Sequence, residues 1–301
     1  MPGLIQPVRF QKITLVGVGL LGGSLGLAVK QRRLARHVEG LVRRTASVTE
    51  CEQLGVVDHA GRDPRKAVAD ADLIVLCTPI SRMRETLTPM LPALKAGAIV
   101  TDVGSVKGAV VRELEALVAA ADGHFVGSHP MAGAEKTGPG AARADLFADA
   151  ICVITPTRRS SAMAVKRVED LWKAVGGRPL RLTPELHDEL VSRSSHLPHV
   201  VAAGLANYIL SPLHSKQQAL LCANGFRDTT RIASSSPEMW RDIALANRKN
   251  LGRVLGVFID DLREFQHALE AGDEPAIQEF FEKAKQRRDA WCTHAPSPSP
   301  E

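Results

Sequence analysis

From Lys12 to about Leu182 the chain alternates short apolar runs with helical stretches, and after Thr183 the strand-like runs stop. That alternation constrains the fold more than any other feature. Runs at Ile13–Gly17, Val38–Val42, Leu73–Cys77, Ala98–Asp102, His124–Gly127, Ile151–Thr155 and Pro179–Leu182 are mostly continuous in apolar residues, as strands buried on both faces require. Between them, Leu21–Arg33, Ser81–Leu94, Ser105–Ala121 and Ala162–Val175 read as helices. Strands separated by helices predict a mainly parallel sheet with right-handed crossovers, the α/β Rossmann-type class.

Beyond Thr183 the chain reads as all-α. Thr183 can cap a helix with Pro184 at its first position and Glu185 in its first turn, and Ser235 and Glu238 have capping-box spacing around Pro237. Leu251, Val254, Leu255, Phe258, Leu262, Phe265 and Leu269 form one apolar stripe at helical spacing. The stripe suits a homodimer interface, or packing within the chain. Three segments follow: residues 1–183 as a dinucleotide-binding domain, 184–294 as an all-helical substrate and dimerisation domain, and 295–301, alternating Pro and Ser, as a disordered tail.

The first turn carries the dinucleotide signature. Gly17-x-Gly19-x-x-Gly22 follows a strand and opens a helix. The first glycine allows the tight turn, the second lets a pyrophosphate approach the backbone, and the third lets helix and strand pack closely. The helix N-terminus then offers N–H groups to the phosphates. The end of the second strand selects the cofactor. An NAD site expects an acid there for the ribose 2′-hydroxyl. Here Val42 is followed by Arg43 and Arg44, with Ser47 close behind, which suits a 2′-phosphate and favours NADP over NAD. Glu39 is the acid if the strand register differs by a turn.

Four polar clusters are placed to face a cleft. Thr101 to Lys107 follows the fourth strand, where open α/β sheets bind ligands, and includes Ser105. Gly127-Ser128-His129-Pro130-Met131-Ala132-Gly133-Ala134-Glu135 follows the fifth, and Pro130 holds His129 extended as a candidate general base. The run from His187 to His199 sets His196 and His199 three apart on one helix face, with a kink at Pro198 turning polar groups into the cleft. A metal site is not expected, because hydride chemistry on a nicotinamide needs none. Asn224-Gly225 reads as a turn, followed by Arg227, Asp228 and Arg231; Asp228 can pair with Arg231 to make a carboxylate clamp.

Composition narrows the partners. Aromatics make up 4% of the chain, with one tyrosine, and the formal charge is +5, without a basic stripe. That is poor material for nucleic-acid binding and fits recognition of small anions. The apolar run from Ile13 to Val29 is interrupted by glycines, so it is not expected to span a membrane. Five scattered cysteines without a C-x-x-C pair, and an N-terminus without a signal-peptide layout, predict a cytoplasmic protein.

Taken together, Gly17–Ser24, Leu76–Ile80, Thr101–Lys107, Ser128–Gly133 with Glu135, Ser195–His199, and Phe226–Arg231 with Trp240 resemble the prephenate/arogenate (cyclohexadienyl) dehydrogenase family of tyrosine biosynthesis. The resemblance implies oxidative decarboxylation of arogenate and/or prephenate, with hydride passing to NADP or NAD. It implies His129 as catalytic base, with Ser105 orienting it. Arg231 would bind the substrate carboxylate, and His199, His196 and His187 would line the pocket. Glu135, Asp228 and Trp240 would shape or gate it. Gly17, Gly19, Leu20, Leu21, Gly22, Arg43, Arg44, Ser47, Cys77, Thr78 and Pro79 would hold the cofactor. A homodimer through the helical domain is also implied. Ala134 departs from relatives that carry a hydroxyl there. The alternatives are another reductase of the 3-hydroxyacid dehydrogenase type, for which Lys249 is the candidate catalytic lysine, and a non-catalytic NADP(H)-binding sensor.

Overall fold

The computed structural model describes residues 10–134 and 136–294; Glu135 and the expected tail, 295–301, lie outside them. Among the described residues eight strands form one sheet: β1 (Phe10–Val16), β2 (Ala35–Leu41), β3 (His59–Gly61), β4 (Leu73–Leu76), β5 (Ile99–Asp102), β6 (His124–Pro130), β7 (Ile151–Thr155) and β8 (Arg178–Arg181). Their order is β3-β2-β1-β4-β5-β6-β7-β8. β1 to β6 run parallel, β7 pairs antiparallel with β6, and β8 runs parallel to β7. The order reverses beside β1, so the crevice between the carboxyl ends of β1 and β4 is the expected ligand position in such a sheet.

Both faces of the central strands are buried, which accounts for their unbroken apolar runs. Ile13 and Leu15 join one core with Leu25, Val29 and Trp172. Val16 on the opposite face joins Ile74, Leu76, Val100, Leu114 and Val118. On that second side of β1, Thr14 bonds the Ala67 carbonyl at 2.7 Å and Lys12 the Ala69 carbonyl at 3.0 Å.

The helices are α1 (Leu20–Gln31), α2 (Thr45–Gln53), α3 (Pro64–Val68), α4 (Met83–Leu87), α5 (Gly108–Ala119), α6 (Ala162–Ala174), α7 (Pro184–Val191), α8 (Leu197–Ile209), α9 (Lys216–Leu220), α10 (Asn224–Thr230), α11 (Pro237–Ala246), α12 (Arg248–Ala271) and α13 (Glu274–His294). Several differ from expectation for identifiable reasons. The helix expected over Ser81–Leu94 breaks into α4 and two flanking 3₁₀ segments, because Pro89 and Pro92 each remove an N–H donor. Ser236, not Ser235, caps α11: Pro237 stands at the first position, so the residue before it accepts from Met239 N–H. Asn224-Gly225 opens α10 and does not form a turn. At the expected Pro198 kink, Ser192–His196 form one wide π turn between α7 and α8; Pro198 lacks the N–H that an α-helix would direct at the Ser194 carbonyl.

Thr183 caps α7 through Leu186 N–H, with Pro184 at the first position as expected. Among the described residues, packing groups those up to Arg248 in one compact unit and those from Lys249 onward in a second. Within the second unit, Phe265 of α12 stacks on Phe280 of α13 with ring centroids 4.4 Å apart, while Leu262 and Leu269 of the apolar stripe are exposed. No helix among the described residues is long and apolar enough to cross a membrane.

Candidate active site

The glycine turn joins β1 to α1. Gly17 has φ +91°, a conformation L side chains rarely adopt. A Cβ on Gly22 would lie 2.3 Å from the Gly17 carbonyl oxygen, so only glycine lets α1 pack here. A Cβ on Gly19 would meet nothing within 4 Å, leaving open space against the backbone. α1 starts at Leu20 and Leu21 with no side-chain cap and no acidic residue in its first turn. Its N–H groups and dipole are therefore available to an anion.

Cys77, Thr78 and Pro79 follow β4 on the other side of this crevice. Cys77 N–H bonds the Val16 carbonyl at 2.8 Å, and Thr78 Oγ1 is buried without a hydrogen-bond partner. Burial pushes the Cys77 thiol up, so it stays protonated. An open glycine backbone, an uncapped helix start and an orphaned hydroxyl fit a dinucleotide.

At the end of β2, Val42 is buried and Arg43 and Arg44 are exposed. Arg44 precedes α2, and Ser47 N–H bonds its carbonyl at 3.1 Å. Arg62, which the motif did not include, joins this corner: it donates to the Arg43 carbonyl and to Thr45 Oγ1. Glu39 is not the strand-end acid. It sits within β2, buried, held by His37 at 3.0 Å and His59 at 2.8 Å.

His129 lies in β6, which extends past its parallel pairing with β5 because His129 and Pro130 pair with Val153 and Cys152 of β7. The histidine is thus fixed by a strand ladder and not by the expected loop. Its Nδ1 is 2.8 Å from Nε2 of His187, whose Nδ1 is 2.8 Å from Oδ1 of Asp188. Asp188 also accepts the main-chain N–H groups of Lys107 at 2.7 Å and Gly108 at 2.9 Å, capping α5 from a distant segment. The ammonium of Lys107, wholly buried, pairs with Asp102 and donates to the Ser128 carbonyl at 2.8 Å, one residue before His129.

Two expected roles are corrected here. Ser105 makes no hydrogen bond to His129; the side-chain contact at His129 Nδ1 comes from His187. His187 does not line a pocket, since its side chain is fully buried behind His129. Asp102, Lys107 and Asp188 fall within the expected polar clusters, but no role of their own was expected for them. The acid directly after His187, in the first helix past the strands, was the available signal.

Electrostatics keep His129 neutral. Burial, then the neighbouring His187, Lys107 and His196, hold His129 well below the usual imidazole range. Burial also lowers His187, against the opposing pull of Asp188. His196 is pushed down to about 4, chiefly by burial.

His196, His199 and Trp240 come together. His199 stacks on Trp240 at 3.7 Å, and His196 meets the indole edge-on at 6.0 Å. Asn247 joins them, donating to the Asp188 carbonyl at 2.8 Å and lying 3.2 Å from His196 Nδ1. His196 Nε2 and Trp240 Nε1 are buried without hydrogen-bond partners. Arg231 lies close enough to lower His199, adding to the effect of burial. With Arg227, Phe226, Thr230 and Cys222 it lines a cavity of about 440 Å³. Asp228 is exposed and not among the lining residues. Among the described residues no group of three His, Cys, Asp or Glu side chains is arranged to hold a metal.

A Rossmann-type sheet with an open glycine turn, followed by helices that bring a buried histidine to the sheet, defines a nicotinamide-dinucleotide dehydrogenase architecture. Comparison with known proteins gives the family. The prephenate dehydrogenase nucleotide-binding domain matches residues 25–180, and the prephenate dehydrogenase dimerization domain matches residues 183–283. The cyclohexadienyl dehydrogenase of Zymomonas mobilis is 34% identical over 287 residues, 94% of this chain and 97% of that protein. Prephenate dehydrogenase from Aquifex aeolicus, solved with hydroxyphenyl propionate and NAD+, superposes with a TM-score of 0.87 at 30% identity, covering 93% of this chain and 98% of that one. Synechocystis arogenate dehydrogenase gives 0.79 at 30% identity, covering 93% and 99%. The chain belongs to the prephenate dehydrogenase family.

The NAD+ in the Aquifex structure corrects the expectation of NADP. Arginines after β2 do not by themselves require a 2′-phosphate, since a guanidinium on a flexible stem also donates to ribose hydroxyls or stacks on an adenine face.

Proposed function

We propose that this oxidoreductase converts arogenate and/or prephenate to the corresponding 4-hydroxyphenyl product, with NAD as the hydride acceptor. The observation that carries the reading is His129: neutral, fixed at Nδ1, and without a hydrogen-bond partner at Nε2 among the described residues. The substrate is a cyclohexadiene with a ring carboxylate and a 4-hydroxyl. The bound nicotinamide would supply an acceptor for the C4 hydride. His129 Nε2 would take the proton of the 4-hydroxyl as its C–O bond gains double-bond character, and would return it to the phenolate oxygen once CO2 has left. The C–CO2 bond pair passes into the ring, CO2 departs, and aromatisation drives the step.

The remaining residues position the reactants. The backbone of Gly17, Gly19 and Gly22, the start of α1 at Leu20 and Leu21, and Cys77, Thr78 and Pro79 hold the dinucleotide. Arg43, Arg44 and Ser47 lie at its adenosine end. Arg231 binds the substrate side-chain carboxylate, as its place on a cavity wall beside His199 suggests. His196, His199 and Trp240 form the apolar and N–H-bearing wall, with Ser105 nearby. Residues 1–183 serve the cofactor and 184–294 the substrate and a homodimer. The exposed Leu262 and Leu269 support the dimer, and the name of the matched dimerization domain agrees. Five cysteines without a disulfide suit the reducing cytoplasm.

The test is absorbance at 340 nm with each substrate and NAD, using wild type and His129→Asn. The wild type should reduce NAD with at least one substrate, and the variant should lose about 10²–10⁴-fold in kcat. No reduction with either substrate would overturn the proposal.

A further inference from the structure

We infer that His187, backed by Asp188, is a positioning residue that selects the tautomer of His129 in which Nε2 is free to accept a proton. The inference rests on His129 being the base of the proposed reaction.

The argument is one of donors and acceptors. Asp188 Oδ1 accepts from Lys107 N–H and Oδ2 from Gly108 N–H. Main-chain amides only donate, so both carboxylate oxygens are acceptors. His187 Nδ1, 2.8 Å from Oδ1, must therefore carry a proton. A neutral imidazole protonated at Nδ1 has a bare Nε2. That atom lies 2.8 Å from His129 Nδ1, so His129 is the donor there and its own Nε2 is bare.

Polarity thus runs from two amides at the start of α5, through Asp188 and His187, to the atom that takes the substrate proton. Reversing any link would place a hydrogen on His129 Nε2 and block proton transfer. The chain stays in its neutral form because the groups around the two rings disfavour a second proton. Lys107 faces both rings and His196 faces His129, and only Asp188 and Asp102 pull His187 the other way. Both rings are almost wholly shielded, with His187 0% and His129 8% exposed, so bulk water does not set the tautomer.

Two substitutions separate this role from simple packing. In His187→Gln, the amide nitrogen can donate to Asp188 while the amide oxygen accepts from His129, which preserves the polarity without a titrating group. His187→Leu removes the acceptor at comparable volume. His187→Leu should lower kcat by about 100-fold with little change in KM, and His187→Gln should recover most of it. In ¹⁵N-histidine-labelled, unliganded wild type, NMR should show His129 protonated at Nδ1 and bare at Nε2. The glutamine variant should keep that pattern and the leucine variant should lose it. A wild-type His129 protonated at Nε2, a leucine variant with normal kcat, or a glutamine variant as impaired as leucine would each overturn the inference. The tautomer is read without substrate, so failure of the enzyme on arogenate and prephenate would count against the proposed reaction alone.

Discussion

Asp188 accepts the main-chain N–H of Lys107, and the side chain of the same lysine is paired with Asp102 inside the protein. One residue thereby ties β5, the start of α5 and the first helix after Thr183 to the strand carrying His129. Removing its charge should be costly, because it leaves the Asp102 carboxylate buried without its partner. Lys107→Met is expected to destabilise the fold by about 3–5 kcal/mol. Adding Asp102→Asn should recover part of that loss, since the two sites are in contact. Urea midpoints of the three variants check this; an unchanged midpoint for Lys107→Met contradicts it.

The environment of His129 sets the acid limb of activity. Burial, reinforced by His187, Lys107 and His196, holds its pKa well below 6.5. The base is then already neutral at pH 7, and kcat/KM should stay level as the pH falls through 6.5. The decline belongs to lower pH. A profile of kcat/KM from pH 8 downward tests this, and an acid limb centred at or above 6.5 contradicts it.

His196 predicts a pH dependence of stability. Its folded pKa is about 4, against 6.5 when exposed, chiefly through burial. As the pH falls below 6.5 the unfolded chain takes the proton first, so the folded state loses stability progressively down to about pH 4. Above 6.5 the contribution of neutral His196 is fully present. The thermal midpoint should therefore drop between pH 7.5 and 5, and His196→Gln should flatten that drop. An equal slope in the variant would assign the effect elsewhere.

Arg231 is expected to act on substrate binding alone. Arg231→Ala should raise KM for arogenate or prephenate by about 10–100-fold, the value of a charge-assisted hydrogen bond of roughly 1.5–3 kcal/mol. The affinity for NAD should not change. Steady-state kinetics with each substrate varied in turn check this, and equal losses for substrate and NAD would remove the clamp role.

Much of the fold was legible along the chain. β1 and β4 stand out because each is buried on both faces, and the glycine turn because Gly17 and Gly22 have no alternative residue. β3 is not legible along the chain: three residues, His59–Gly61, are too few to show a period. The single helix expected over Ser81–Leu94 underweighted two prolines. The cofactor expectation failed for a different reason. Charge type after β2 is a one-dimensional signal, and an exposed arginine on a flexible stem does not specify a phosphate.

The sequence by itself determined the class of fold, the crevice whose glycine turn fits a dinucleotide, and His129 and Arg231 as residues of interest. Those follow from local properties: burial pattern, backbone freedom and residue chemistry at strand ends. Only the tertiary structure decided that His187 stands behind His129, that Asp188 holds His187, and that Ser105 makes no hydrogen bond to His129. His129 and His187 are 58 positions apart in the chain. Their contact depends on how α7 packs against α5 and β7, and the direction of each hydrogen bond depends on amides that only that packing brings to Asp188.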